Sequence, residues 1–505
     1  MRRRRKKQHV SVLMVTSEAF PLVKSGGLAD AVSALSRELD ALGHDVRILM
    51  PRYYAVRRDS LYRFPAPFTV RVGQDLYTAA LYEGRLEGSS VVTYFIDYED
   101  LYGRDGIYGS AAGDAFGDNL KRFGLLSHAA LALGRFIGWE PQVIHAHDWP
   151  AALTPYLAHR QGERSGRRPA SVLTIHNVGH QGAFAVGQLP ETGLSWSELA
   201  SSGLLHHDSL NMMRSGIIHA DVITTVSRKY AEEIQTPRYG FSLDEVLSSR
   251  SDAIHGIMNG VDYSVWNPEK DPYNDIKYTA ETVALKARIK EQLQQELGLR
   301  VDPDVPLIGM VSRLVDQKGF EELVCPGFGS LPDILSTLDC QVAILGSGNP
   351  AYEHYLRTLA ARYADLSVVI GFDERLAHEI EGASDFFLMP SRYEPCGLNQ
   401  LYSLRYGTLP IVTRTGGFVD SVEPISPRGG TGFFIDDLSP VSIYETVKDA
   451  LTLFRNEPAR IDSMRRAAMK ARFAWSESAA HYLTAYEEAK ERCAAESEGV
   501  TDGNG

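Results

Sequence analysis

The sequence predicts an α/β protein with two Rossmann-like, doubly wound parallel sheets facing each other across a deep cleft. Three observations predict it. At 505 residues the chain exceeds what one hydrophobic core usually serves. Both halves alternate short, continuously apolar runs with amphipathic stretches, the pattern of strands covered by helices on both faces. The Asn-, Asp- and Pro-rich segment NGVDYSVWNPEKDPYN, residues 259–274, separates the halves as a linker should. The expected domains are 1–260, opening with a basic tail over 1–8, and 261–475. A helix over 476–495 is expected to cross back to the first domain, followed by a disordered tail over 496–505.

The elements follow in order. The run VSVLMV is the first strand. Leu28, Ala31, Val32, Leu35, Leu39 and Leu42 then recur every three or four residues and Gly43 follows, which is a helix with one buried stripe and a glycine stop. DVRILMP, PQVIHAHD, SVLTIHN, DVITTVS and the weaker AIHGIMNG read as further strands, with a helix over DNLKRFGLLSHAALALG. In the second half PLIGMVSR, CQVAILGSG, LSVVIGF, SDFFLMPS and TLPIVTRTGG repeat the style.

Charge narrows the partners. The formal net charge is −12, and since RRRRKK contributes +6, the rest carries −18. So acidic a body is a poor nonspecific binder of nucleic acid. No apolar run reaches membrane length, and VSVLMV after the basic opening is too short for a secretory core. Cys325, Cys340, Cys396 and Cys493 show no paired spacing, which suits a reducing cytoplasm.

In doubly wound folds the working residues stand immediately after the strands. The first strand delivers Lys24-Ser25-Gly26-Gly27, with Asp30 on the new helix. VIHAHD delivers His145, His147 and Asp148; VLTIHN delivers His176 and Asn177; GIMNGVD delivers Asn259. In the second half the strands deliver Ser312, Arg313 and Lys318, then Glu394, Cys396 and Gly397, then Thr415, Gly416 and Gly417. HAHD suggests a metal site but lacks obvious third and fourth ligands. GSGNPA, residues 346–351, fits the dinucleotide fingerprint without an acidic residue closing the next strand. Three cations (Lys24, Arg313 and Lys318) and two helix-start corners converging on a cleft would suit a diphosphate. Glu394, an anion at the same level, suits sugar hydroxyls. The combination points to a nucleotide-diphosphate-sugar site.

KSGGLADAV, HAHDW, TIHN, MNGVD, VSRLVDQKG and SRYEPCGLNQLYSLRYGTLP stand in one order from the first strand to about Trp475. On these motifs the chain resembles the bacterial and plant-type glycogen (starch) synthases, retaining glycosyltransferases of family 5 with the GT-B fold. The resemblance implies roles. Lys24, with the Gly26 and Gly27 amides, would meet the donor phosphate, and Asp30 would brace that loop. Arg313 and Lys318 would neutralise the leaving diphosphate. Glu394 would hold the transferred glucose, with Ser312 and the backbone of Cys396, Gly397 and Leu398 on the donor. His176 would bind the sugar near C6, with Asp148, Asn177 and Asn259 around donor and acceptor. Phe372 stands where the family has Tyr and would stack on adenine. Ser25 and Asn399 stand where Thr is common, and the related E-x7-E pattern reaches Tyr402.

The implied reaction moves glucose from ADP-glucose to the non-reducing end of an α-1,4-glucan with retention, with no metal or other cofactor and no nucleic-acid or membrane partner. UDP-glucose is the alternative donor. A dinucleotide-dependent oxidoreductase, a noncatalytic glucan-binding protein and a pyridoxal-dependent phosphorylase are the rivals. Oligomeric state is not legible.

Overall fold

The computed structural model describes residues 9–110 and 114–502, so the basic tail over 1–8 lies outside the described residues. The chain divides into two compact units, residues 1–260 with 475–505, and residues 261–474.

In the first unit, strand β1 (Ser11–Val15) is buried almost throughout, and the helix Gly27–Ala41 turns Leu28, Ala31, Val32, Leu35 and Leu39 to the interior. Gly43 takes the left-handed φ of +89° that ends the helix. The further strands are β2 (Asp45–Pro51), β3 (Tyr62–Arg63), β4 (Phe68–Val72), β5 (Asp75–Arg85), β6 (Val92–Asp97), β7 (Val143–His147) and β8 (Ala170–Ile175). A small sheet of β9 (Ala183–Ala185), β10 (Leu205–His206) and β11 (Ser209–Asn211) precedes β12 (Val222–Thr225) and β13 (Ile254–Gly256). The main sheet runs β13-β12-β8-β7-β1-β2-β6-β5-β3, with β4 beside β5.

The sheet is parallel from β13 to β6 and antiparallel beyond it. This corrects the expectation of a purely parallel sheet. Residues 62–85 form half-exposed strands: in β4, Phe68, Val70 and Val72 face inward while Thr69 and Arg71 face out. That period-two alternation marks a one-sided sheet.

A long helix, Trp475–Asp502, completes this unit. Its Trp475, Ala479, Tyr482, Ala485, Tyr486 and Ala489 share a core with Val12, Met14, Leu28, Val172 and Val222. It begins one residue before the expected 476 and stays helical through Asp502, where a disordered tail from 496 was expected. The stretch CAAESE is rich in strong helix formers, so propensity carries the helix on once packing has nucleated it.

The second unit holds β14 (Leu307–Val311), β15 (Gln341–Gly346), β16 (Leu366–Ile370), β17 (Phe386–Met389), β18 (Leu409–Thr413) and β19 (Phe433–Ile435), all parallel in the order β16-β15-β14-β17-β18-β19. The order reverses between β14 and β17, and in the first unit between β1 and β7. Doubly wound sheets bind ligands at the carboxyl ends of such strands.

Residues 259–274 are not a free linker. Trp266 is stacked between His378, at 3.7 Å, and Tyr402, at 3.9 Å. Asp271 is wholly buried and accepts from His378 Nδ1 at 3.0 Å, Asn274 Nδ2 at 2.8 Å and the Tyr273 N–H at 2.9 Å. Asn267 accepts from Arg405 at 2.7 Å. The polar residues that read as a solvated turn instead satisfy buried groups of the second unit. Tyr402, the E-x7-E position, belongs to the stack.

Candidate active site

In the first unit the candidate residues stand after β1, β7 and β8. Lys24 Nζ lies 2.7 Å from Asp30 Oδ2, so Asp30 holds the lysine itself. Glu18, which the sequence reading passed over, is 2% exposed. Its carboxylate accepts from the Ser25 N–H at 2.5 Å, the Gly26 N–H at 3.2 Å, Ser25 Oγ at 2.9 Å and Tyr108 Oη at 2.7 Å. In this structure the corner's Gly26 amide therefore faces an internal carboxylate rather than standing free for phosphate. Gly27 opens the helix beside it. The signal for Glu18 was its place just before the turn; nothing local marks Tyr108, 90 residues away.

Asp148 sits at φ +53°, in the left-handed region. Its Oδ1 accepts from the His176 N–H at 2.7 Å and the Asn177 N–H at 3.4 Å, so it shapes the loop that carries both residues. Burial pushes its carboxyl up to about 8, against the pull of those two N–H groups. Asn177 Oδ1 accepts from the Gly179 N–H at 2.9 Å. Asn259 is 5% exposed, and its Oδ1 has no hydrogen-bond partner among the described residues. The HAHD histidines are tied into the fold: His145 bonds Tyr486 Oη at 2.9 Å and Thr174 Oγ1 at 2.5 Å, and His147 bonds His176. Among the described residues no group of three or more His, Cys, Asp or Glu is placed to hold a metal ion.

In the second unit the candidate residues gather where β14 and β17 end. Lys318 closes the turn Asp316–Lys318. Gly319 follows at φ +75°, and a Cβ there would lie 1.9 Å from the Pro390 carbonyl oxygen. Only glycine permits this close approach. It brings Lys318 Nζ to 2.5 Å from Glu394 Oε2, which also accepts from Ser391 Oγ at 3.0 Å. Arg313 follows β14 and donates to Gln317 at 3.3 Å; it makes no ion pair with any described residue. Ser312 Oγ donates to the Arg313 carbonyl at 3.2 Å.

The loop after Glu394 is fixed by glycines. Gly397 is left-handed at φ +67°, and Gln400 donates to the Cys396 and Gly397 carbonyls at 2.9 and 3.0 Å. A Cβ on Gly416 or Gly417 would fall within 2 Å of the Glu394 or Cys396 carbonyl oxygen, so that pair braces the loop. Leu398 leads into the helix Asn399–Tyr406, and Asn399 Nδ2 donates to the Val311 carbonyl at 2.5 Å, tying the loop to the end of β14. Phe372 is 85% exposed.

GSGNPA has a packing explanation. A Cβ on Gly346 or Gly348 would strike the Ser312 or Leu314 carbonyl oxygen, at 2.0 and 2.4 Å, and Asn349 Oδ1 caps the helix Pro350–Arg362 by accepting from the Ala351 N–H at 2.9 Å. The fingerprint residues serve this chain's own backbone.

Comparison with known proteins agrees with this arrangement. Residues 11–249 match the family model for the starch synthase catalytic domain, and residues 291–467 match glycosyl transferases group 1. The chain is 46% identical to a glycogen synthase of Treponema denticola over 96% of this chain and 99% of that one. It is 42% identical to glycogen synthase 1 of Geobacter metallireducens, over 94% and 95%. Among solved structures it resembles the catalytic domain of starch synthase IV from Arabidopsis thaliana bound to ADP and acarbose, with a TM-score of 0.85 and 28% identity, covering 96% of this chain and 100% of that one. The two α/β units are those of the GT-B fold, and the chain belongs to the glycogen synthase family of glycosyltransferases.

Proposed function

We propose that the enzyme transfers glucose from ADP-glucose to the non-reducing end of an α-1,4-glucan, with retention at the anomeric carbon. The observation that carries this reading is the Lys318–Glu394 pair, with Arg313 bonded to the neighbouring Gln317, which sets two cations and one carboxylate where β14 and β17 end. The family membership supplies the reaction, and the ADP in the related plant structure supports the choice of nucleotide.

Breaking the bond to the diphosphate builds negative charge on the leaving group and positive character on the sugar. Arg313 and Lys318 stabilise the first as preorganised charges. Glu394 holds the glucose. The acceptor hydroxyl attacks from the face the diphosphate leaves, and the departing phosphate takes its proton. In the first unit, Lys24 is assigned to donor phosphate and His176 to the glucose, with Asp148, Asn177 and Asn259 around the substrates. Side chains supply the positive charge, so no metal is required, and the enzyme works in the cytoplasm.

The test is incubation with a glucan primer and either ADP-glucose or UDP-glucose carrying labelled glucose, with EDTA present. Labelled polymer and released ADP are expected. If both donors stay intact with every α-glucan offered, the reading is wrong.

A further inference from the structure

A chain of buried groups stands behind His176. His147 is 1% exposed, and its Nδ1 lies 3.1 Å from His176 Nε2. Its Nε2 faces the Met14 thioether, at 3.5 Å. His145 packs on its other side with ring centroids 4.1 Å apart. Burial holds His145 and His176 at about 3 and His147 well below its ordinary value, so all three rings are neutral at working pH.

A neutral imidazole has one N–H and one bare nitrogen. Across the 3.1 Å contact one histidine must donate and the other accept. If His147 Nδ1 donated, its Nε2 would be bare and buried against a thioether, which can only accept. If His147 Nε2–H points to Met14 Sδ, its Nδ1 is bare and accepts from His176 Nε2–H. Only the second arrangement leaves neither nitrogen of His147 unsatisfied, and buried unsatisfied polar atoms are costly.

We propose that Met14 and His147 are positioning residues that hold His176 as its Nε2–H tautomer, so that His176 Nδ1 offers a lone pair to a substrate hydroxyl. The proposal rests on the reading of His176 as the residue that meets the transferred glucose. It gives His176 one sense of hydrogen bond: it accepts from a sugar hydroxyl and does not donate. A histidine in the other tautomer would present an N–H at the same place and would orient that hydroxyl oppositely.

The test reads the tautomer directly. The full chain is prepared with ring-15N histidine, and His176 is assigned by its loss in His176→Ala. The expected spectrum shows His176 with a protonated Nε2 and a bare Nδ1, unchanged between about pH 6 and 8. Met14→Leu conserves volume but removes the acceptor. It should raise the Nδ1–H form of His176 and lower kcat by about tenfold, with KM little changed. His147→Phe should lower kcat at least as far, and His147→Asn, whose amide oxygen can accept from Nε2–H, should recover part of it. A wild-type His176 protonated at Nδ1 overturns the proposal. So does a Met14→Leu variant with unaltered ring spectrum and unaltered kcat. Full activity in His176→Ala would instead overturn the sugar assignment, a separate failure that leaves the tautomer reading to its own spectrum.

Discussion

Lys318 Nζ stands 2.5 Å from Glu394 Oε2, and Glu394 is only 7% exposed. The carboxylate is therefore neutralised within its own unit before any substrate arrives. Removing the lysine strands a nearly buried charge, which typically costs several kcal/mol. Lys318→Ala is expected to destabilise the protein by about 2–5 kcal/mol and to lower kcat by about 10²–10³. Adding Glu394→Gln should return most of the stability and none of the turnover. Denaturant unfolding beside steady-state kinetics of the two variants and the double variant checks this.

Arg313 separates catalysis from stability. It makes no ion pair with any described residue, so Arg313→Ala should leave unfolding stability within about 0.5 kcal/mol. On the proposed reaction its charge would meet the negative charge that grows as the diphosphate leaves, so kcat should fall by about 10² or more. Donor KM should move far less. Equal losses in kcat and binding measured by calorimetry would contradict this.

Glu18 ties down the turn that carries Lys24, through four donors. Glu18→Gln keeps the shape but turns an amide N–H₂ toward groups that already donate. The expected cost is about 1–3 kcal/mol, that of leaving buried donors unmet. Faster amide hydrogen exchange at Ser25 and Gly26 would locate the loss; unchanged protection there would count against the brace.

Asp148 gives a pH signature. Its carboxyl is pushed up to about 8, so between its ordinary value near 4 and pH 8 the folded state binds a proton that the unfolded state has lost. Stability contributed by the neutral form is present at low pH and declines as pH rises through that window. His145 and His176, held at about 3, act oppositely, adding stability as pH rises from 3 to about 6.5. Above about 6.5 the histidines fall silent and Asp148 still acts, beside the buried Glu381, raised well above its ordinary value, and the buried Lys286, lowered well below its own. Asp148 should contribute a loss of stability from pH 6.5 to 8 of up to about 1.4 kcal/mol per unit, so the slopes of the wild type and of Asp148→Asn should differ by that amount. Urea unfolding at several pH values measures it.

Gly319→Ala tests the approach of the Lys318 turn to Pro390. A methyl group 1.9 Å from a carbonyl oxygen at φ +75° forces the turn away, with a cost above about 1–3 kcal/mol and a loss of turnover resembling that of Lys318→Ala. Wild-type kcat in this variant would show that Lys318 does not need the turn.

The parts of this molecule legible in sequence are those whose cause is local. Strands buried on both faces announce themselves as VLMV or VAILG, and the turn-and-helix chemistry of Lys24, Arg313 and Lys318 follows them at fixed offsets. The parts that were missed depend on distant partners. Trp266 and Asp271 read as linker because the rings and donors that bury them, His378, Tyr402 and Tyr406, lie more than a hundred residues on. Glu18 carries no signal of its own because its partner Tyr108 lies 90 residues away. The antiparallel strands at the sheet edge were passed over because their half-exposed alternation was not the continuous pattern sought. The role of Gly416 and Gly417 as braces became visible only when the Glu394 and Cys396 carbonyls were seen against them.

The helix that begins at Trp475 has a consequence for how the protein is made. Its tyrosines and alanines close a core whose other walls come from the first strands to leave the ribosome. Translation must pass through residues 261–474 before that cover exists, a delay of roughly 10–40 s at ~5–20 residues per second. During it the nascent amino-terminal sheet carries an uncovered apolar face, while the contiguous second unit can already fold. The unit synthesised first is thus the one finished last.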